Sequence, residues 1–76
     1  MTLAQLKKGE TGIVTKTGGK NILRLRLLDM GLVPETAVTV TKLAPLGDPM
    51  EIFLRGYRLT LRIEDAKKIA VRLSEE

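Results

Sequence analysis

Two runs of alternating apolar residues that meet at a single glycine constrain this chain more than any other feature. Met50, Ile52 and Leu54 share one side of the first run, with Glu51 and Arg55 opposite. Tyr57, Leu59, Leu61 and Ile63 share one side of the second, with Arg58, Thr60 and Arg62 opposite. Side chains alternate across a strand with a period of two, so each run reads as a strand with one apolar face. Gly56 between them suits the tight turn of a hairpin. A lone hairpin is marginal in water, so its apolar face needs further elements to cover it.

The rest of the chain supplies them. Residues 35–43 are rich in β-branched side chains, with Val38 and Val40 on one face and Thr39 and Thr41 on the other. Residues 10–17 carry Ile13 and Val14 among threonines, and Ile69, Val71 and Leu73 alternate near the C-terminus. Five short strands within 76 residues must share one core, and closing the sheet on itself removes exposed edges. The expected fold is mainly β: a small SH3-like β-barrel of about five strands, forming one domain over residues 1–76, with a short helix inserted after the first strand.

That helix is expected between Asn21 and Gly31. Asn21 can accept a backbone N–H and cap its start, Gly31 can take the left-handed conformation that ends it, and Pro34 bars the chain from re-entering a helix. At about 100° per residue, Leu23, Leu27 and Met30 fall on one face and Leu25 and Leu28 nearly opposite. The first face is assigned to the core. Residues 2–9 suggest one helical turn with Thr2 as cap and Leu3 and Leu6 docked inward. Residues 63–68, acidic first and basic last, suggest another. Ala44 to Pro49 holds two prolines and Gly47 and reads as a shaped loop. Ser74, Glu75 and Glu76 are expected to fray.

Several kinds of chemistry are excluded by composition. There is no His and no Cys, which removes the commonest general base, the soft nucleophile and any disulfide. Neither a P-loop pattern nor a G-x-G-x-x-G run occurs, so no enzyme and no cofactor are expected. A metal site would have to use oxygen from Asp29, Glu35, Asp48 and Glu51, suited to hard cations, yet their spacing resembles no cation loop. No run of about 18 apolar residues is present to span a membrane. The opening residues lack the apolar stretch of a signal peptide, so a cytoplasmic location without membrane insertion is expected.

Thirteen Lys and Arg against nine Asp and Glu leave a formal net charge of +4. Arg55, Arg58 and Arg62 would lie outside the barrel, where Arg24, Arg26 and Lys42 could extend a patch able to meet RNA or DNA phosphates. With one Phe and one Tyr, however, there is almost nothing for unpaired bases to stack on. No nucleic acid is expected, and phosphate binding is kept as the alternative reading.

The run Leu27-Leu28-Asp29-Met30-Gly31-Leu32-Val33-Pro34, the loop Ala44-Pro45-Leu46-Gly47-Asp48-Pro49, and then Leu54-Arg55-Gly56-Tyr57 and Leu59-Thr60-Leu61-Arg62 resemble the FeoA family. The opening Leu3-x-x-Leu6-x-x-Gly9 and the closing Glu64-Asp65-Ala66-x-x-Ile69-x-Val71 fit as well. These are small cytosolic SH3-like proteins of bacterial ferrous iron uptake. One departure is visible: the family usually has Pro-Gly where this chain has Pro34-Glu35. Glu disfavours positive φ, so a type I turn is expected there.

The resemblance implies a non-enzymatic accessory role, in association with the cytosolic part of the FeoB membrane transporter, which carries a GTP-binding domain. It does not imply iron binding by this chain itself. A protein partner would find an anchor in Leu25 and Leu28, flanked by Arg24 and lying outside the barrel or beneath the Pro45–Pro49 loop. The expected contact face therefore comprises Arg24, Leu25, Leu28, Pro45, Leu46 and Asp48.

Overall fold

The computed structural model describes residues 1–74; Ser74, expected to fray, instead donates its N–H to the Thr11 carbonyl at 2.9 Å, and the expected fraying of Glu75 and Glu76 lies outside the described residues. Five strands, β1 (Thr11–Thr17), β2 (Ala37–Leu43), β3 (Met50–Leu54), β4 (Tyr57–Leu61) and β5 (Ile69–Leu73), form one antiparallel sheet in the order β4-β3-β2-β1-β5. Helix α1 (Asn21–Asp29) lies in the connection between β1 and β2, and α2 (Ile63–Ala66) links β4 to β5. Short 3-10 turns occupy Leu3–Gln5 and Pro45–Gly47.

The sheet wraps a single core. Val14, Val38, Val40, Met50, Ile52, Leu54, Leu61, Ile69 and Val71 come from all five strands, joined by Leu3, Leu6, Leu27, Leu32 and Ala66. The expected inward residues of β2 and β3 are buried, and those of β4 become more buried along the strand. Tyr57 is exposed, Leu59 half-buried and Leu61 fully inside, because β4 is an edge strand whose first residues extend beyond the core. Ile69 and Val71 are inside, whereas Leu73 at the end of β5 is exposed. The outer edge of β5 is taken up by the N-terminus, where Val71 N–H donates to the Met1 carbonyl at 2.9 Å.

Helix α1 ends as its glycine predicts. The Leu32 N–H reaches back to the Leu27 carbonyl at 3.1 Å and the Gly31 N–H to the Leu28 carbonyl at 3.0 Å, with Gly31 at φ +100°. These are the two bonds of a Schellman cap. Leu27 is buried, and Leu23 and Met30 pack against the core.

The start differs from expectation. Asn21 does not act as an extended cap but stands at φ +50° as the first helical residue, a conformation asparagine tolerates better than most side chains.

Two turns also correct the reading from sequence. Glu35 adopts φ +74°, with Thr36 N–H on the Val33 carbonyl at 3.2 Å, so Pro34–Glu35 forms a type II turn rather than type I. The reason is tertiary. Glu35 N–H donates to the Val14 carbonyl at 2.7 Å and Val14 N–H to the Thr36 carbonyl at 2.9 Å, which fixes the peptide orientation that glycine would adopt freely. This turn also delays β2 to Ala37. Arg55 leaves the strand: at φ +47°, followed by Gly56 at +86°, it is the first central residue of a type I′ hairpin turn.

Candidate functional site

The six residues expected at a contact face fall into two groups at opposite ends of the sheet. Strand β2 spans about 20 Å at roughly 3.3 Å per residue. At its Ala37 end lie β1's exit, α1 and the β3–β4 turn. There the Tyr57 hydroxyl donates to the Met30 carbonyl, and the Arg55 guanidinium donates to Thr36 Oγ1 at 3.1 Å. At its Leu43 end lies the loop from Ala44 to Pro49, paired with the start of β3 and facing α2. The loop therefore does not cover Leu25 and Leu28.

On α1, Leu25 is 60% exposed and Leu28 half-buried. Arg24 projects along the helix flank, with Nε donating to the Thr17 carbonyl at 3.1 Å, which ties the helix to the end of β1. Ile22, one turn before Leu25, is 70% exposed and went unremarked in the sequence. Its spacing of three from Leu25 is the signal that places it on the same outer side. Ile22 and Leu25 thus form an apolar ridge with Arg24 and Arg26 on its two flanks.

At the other end, Leu46 is fully exposed and held at φ +70°, an uncommon conformation for a bulky side chain. Pro45 is exposed beside it. Asp48 Oδ1 accepts the Ile63 N–H at 3.1 Å, and Ala44 N–H closes the loop on the Pro49 carbonyl at 3.0 Å. The Asp48–Pro49 peptide is cis. A shallow groove of about 170 Å³ runs beside this loop, lined by Lys42, Ala44, Pro49, Met50, Glu51 and Thr60. The apolar tip and the groove are adjacent but distant from α1.

Three of the four carboxylates considered for a metal are used elsewhere, and Asp29 stands exposed at the end of α1. Glu35 pairs with Arg72 at 3.3 Å, Glu51 faces Arg58 at 3.8 Å and accepts from Thr41 Oγ1 at 2.8 Å, and Asp48 holds α2. Among the described residues no three His, Cys, Asp or Glu are grouped to share a metal ion. The arginines of the alternative reading are likewise dispersed. Arg55 turns to Thr36, Arg58 to Glu51 and Arg62 to Asp65 at 3.7 Å, while Arg24, Arg26 and Lys42 are exposed on other elements.

No helix of the described chain is long and apolar enough to cross a membrane. A family model described as the FeoA domain matches residues 1–73. The chain is 38% identical over 73 residues to an Fe(2+) transport protein A/Fe(2+) transporter FeoB fusion protein of Porphyromonas gingivalis, covering 96% of this chain but only 9% of that protein. The solution structure of the FeoA protein of Chlorobium tepidum aligns with a TM-score of 0.88 at 40% identity, over 96% of this chain and 70% of that one. A Stenotrophomonas maltophilia FeoA crystallised with zinc aligns with a TM-score of 0.83 at 27% identity, over 93% and 88% of the two chains. That protein is described as a procaryotic SH3 domain protein and a candidate ferrous iron transport activating factor.

Proposed function

The chain belongs to the FeoA family, and on that footing we propose that it is a cytoplasmic, non-enzymatic accessory protein of ferrous iron uptake, binding the cytosolic part of an FeoB-type transporter and regulating or assembling it. The observation that carries this reading is the relative in which the matching segment is joined to an FeoB transporter in one polypeptide. Covalent fusion keeps two modules at high effective concentration, which favours pairs that act in contact.

The contact is assigned to the outer face of α1. Leu25 gives an exposed apolar anchor and Arg26 beside it a polar rim of the kind protein interfaces have, with Arg24 and Ile22 at the border of this face. The helix is pinned at both ends, by Arg24 on Thr17 and by Tyr57 on Met30, so docking orders little that is not already ordered. The absence of His and Cys fits a role through binding rather than catalysis.

Pull-down of the transporter's cytosolic part with purified variants tests the assignment. Leu25→Glu should weaken association by more than tenfold, about 1.4 kcal/mol, and leave the circular-dichroism spectrum intact because Leu25 is outside the core. Leu46→Glu, at the far end of β2, should leave binding unchanged. If a folded Leu25→Glu protein binds normally while Leu46→Glu does not, the loop is the contact and the helix face is wrong.

A further inference from the structure

One end of the molecule carries five exposed cations that no ion pair of the described residues engages. The β1–β5 pairing sets Lys16 opposite Ala70 and Thr17 opposite Ile69, and just beyond it Gly18 N–H donates to the Lys68 carbonyl at 2.7 Å. The approach is so close that a Cβ on residue 18 would stand 2.7 Å from that oxygen. Around this junction Lys16, Lys20, Arg24, Lys67 and Lys68 are all exposed. The ion pairs of the described residues join Arg58 to Glu51, Arg62 to Asp65 and Arg72 to Glu35, and none of them uses these five cations. Glu64 and Asp65 precede Lys67 and Lys68 by about one turn on α2; Asp65 is engaged by Arg62, which leaves Glu64 against five cations. Ile22, 70% exposed, stands two residues from Lys20 at the border of this end and the outer face of α1.

We propose that this basic end rests on an anionic lipid headgroup layer, orienting the outer face of α1 toward a partner embedded in the same membrane. The setting rests on the transporter reading above, but the contact does not need the transporter to form. The charges are spread over three chain segments, and the groove described above is at the other end of the sheet. A convex, multi-point cationic surface suits a plane of headgroups better than one bound phosphate. Each Lys or Arg near such a plane adds to the attraction, which fades within a Debye length. The neighbouring isoleucine separates lipid from nucleic acid, since the headgroup–acyl boundary accepts an apolar side chain and a phosphate backbone does not. The exposed aromatic residues are Phe53 on β3 and Tyr57 on β4, and Tyr57 meets the Met30 end of α1, a helix length from Lys20, so no stacking platform adjoins the lysines.

Cosedimentation of the purified chain with vesicles tests this. The protein should pellet with phosphatidylcholine–phosphatidylglycerol vesicles, not with phosphatidylcholine alone, and added salt should release it. The double variant Lys67→Gln/Lys68→Gln should lower partition by about fivefold per lysine, and Ile22→Ser should lower it without changing the salt slope. Both substitutions are on exposed side chains, and unchanged melting temperatures verify the fold. Equal pelleting with both vesicle types, no pelleting, or insensitivity to the lysine variants overturns the proposal. So does a double variant that loses the transporter in detergent while the parent ignores vesicles, which would assign this end to an acidic protein surface. Tighter binding to duplex DNA than to anionic vesicles overturns it equally. None of these failures touches the Leu25→Glu pull-down, which is done without lipid.

Discussion

Gly31→Ala offers a worked test of how α1 is held against the barrel. Gly31 stands at φ +100°, where an L-residue costs about 1–2 kcal/mol, partly offset by roughly 0.4–1 kcal/mol from the stiffer unfolded chain. The new methyl would also meet Tyr57 Oη at 3.2 Å and Leu54 Cδ1 at 3.4 Å. Leu54 is inside the core and cannot retreat, so the tyrosine must move. Its hydroxyl must give by a few tenths of an ångström, which weakens a bond to the Met30 carbonyl worth up to about 1 kcal/mol. The sum is a destabilisation of up to about 2 kcal/mol. In a domain of this size that upper figure lowers the melting temperature by roughly 8–16 °C.

Gly47→Ala is the matched control. Gly47 also has positive φ, +82°, but a Cβ there meets nothing within 4 Å, so it pays the backbone cost alone. Thermal melts of the two variants, followed by circular dichroism, isolate the difference. If they melt together, the contact of the helix end with the hairpin turn contributes nothing and the clamped-helix argument fails.

Two further changes address the core and the unexpected turn, beside the binding tests for α1 and the lysine end. Leu61→Ala removes a side chain only 4% exposed and should cost about 2–5 kcal/mol in chemical denaturation; a loss no larger than that of a surface control would contradict the packing. Glu35→Gly should be neutral or stabilising by up to about 1 kcal/mol, since it relieves a left-handed glutamate and gives up only an exposed pair with Arg72. A clear loss of stability there would mean the Arg72 pair does more than its exposure allows.

The strands were legible because their information is local. Val38 and Val40, or Met50, Ile52 and Leu54, announce an inward face by alternation alone, and the structure buries each of them. Gly31 was legible for the same reason, as the end of a periodic helix. Glu35 was not. Its side chain argues for negative φ, and it is overruled by hydrogen bonds to Val14, a residue more than one element away. Arg55 was misplaced by one residue, because a strand alternation does not say where it stops; the turn takes Arg55 as well as Gly56. The grouping of α1 with the Pro45 loop failed on register. Both carry exposed leucines, but only the pairing of β2 with β1 and β3 shows that they leave opposite ends of one strand.

The same non-local pairing creates the features of interest. Lys16 and Lys20 are separated from Lys67 and Lys68 by most of the chain, and each pair alone reads as ordinary surface charge. The β1–β5 ladder brings them to a common junction, closed by the Gly18–Lys68 hydrogen bond. Helix α1 starts at that junction and ends against the β3–β4 turn, so its outer ridge runs from the basic end toward Tyr57. A partner gripping Leu25 is therefore held at a fixed angle to the lysines, because neither can turn without breaking the bonds of Arg24 to Thr17 and Tyr57 to Met30. The two contacts would then reinforce one another by geometry, each raising the effective concentration of the other. The Leu46 loop leaves the Leu43 end of β2 and is anchored through Asp48 to Ile63, the first residue of α2.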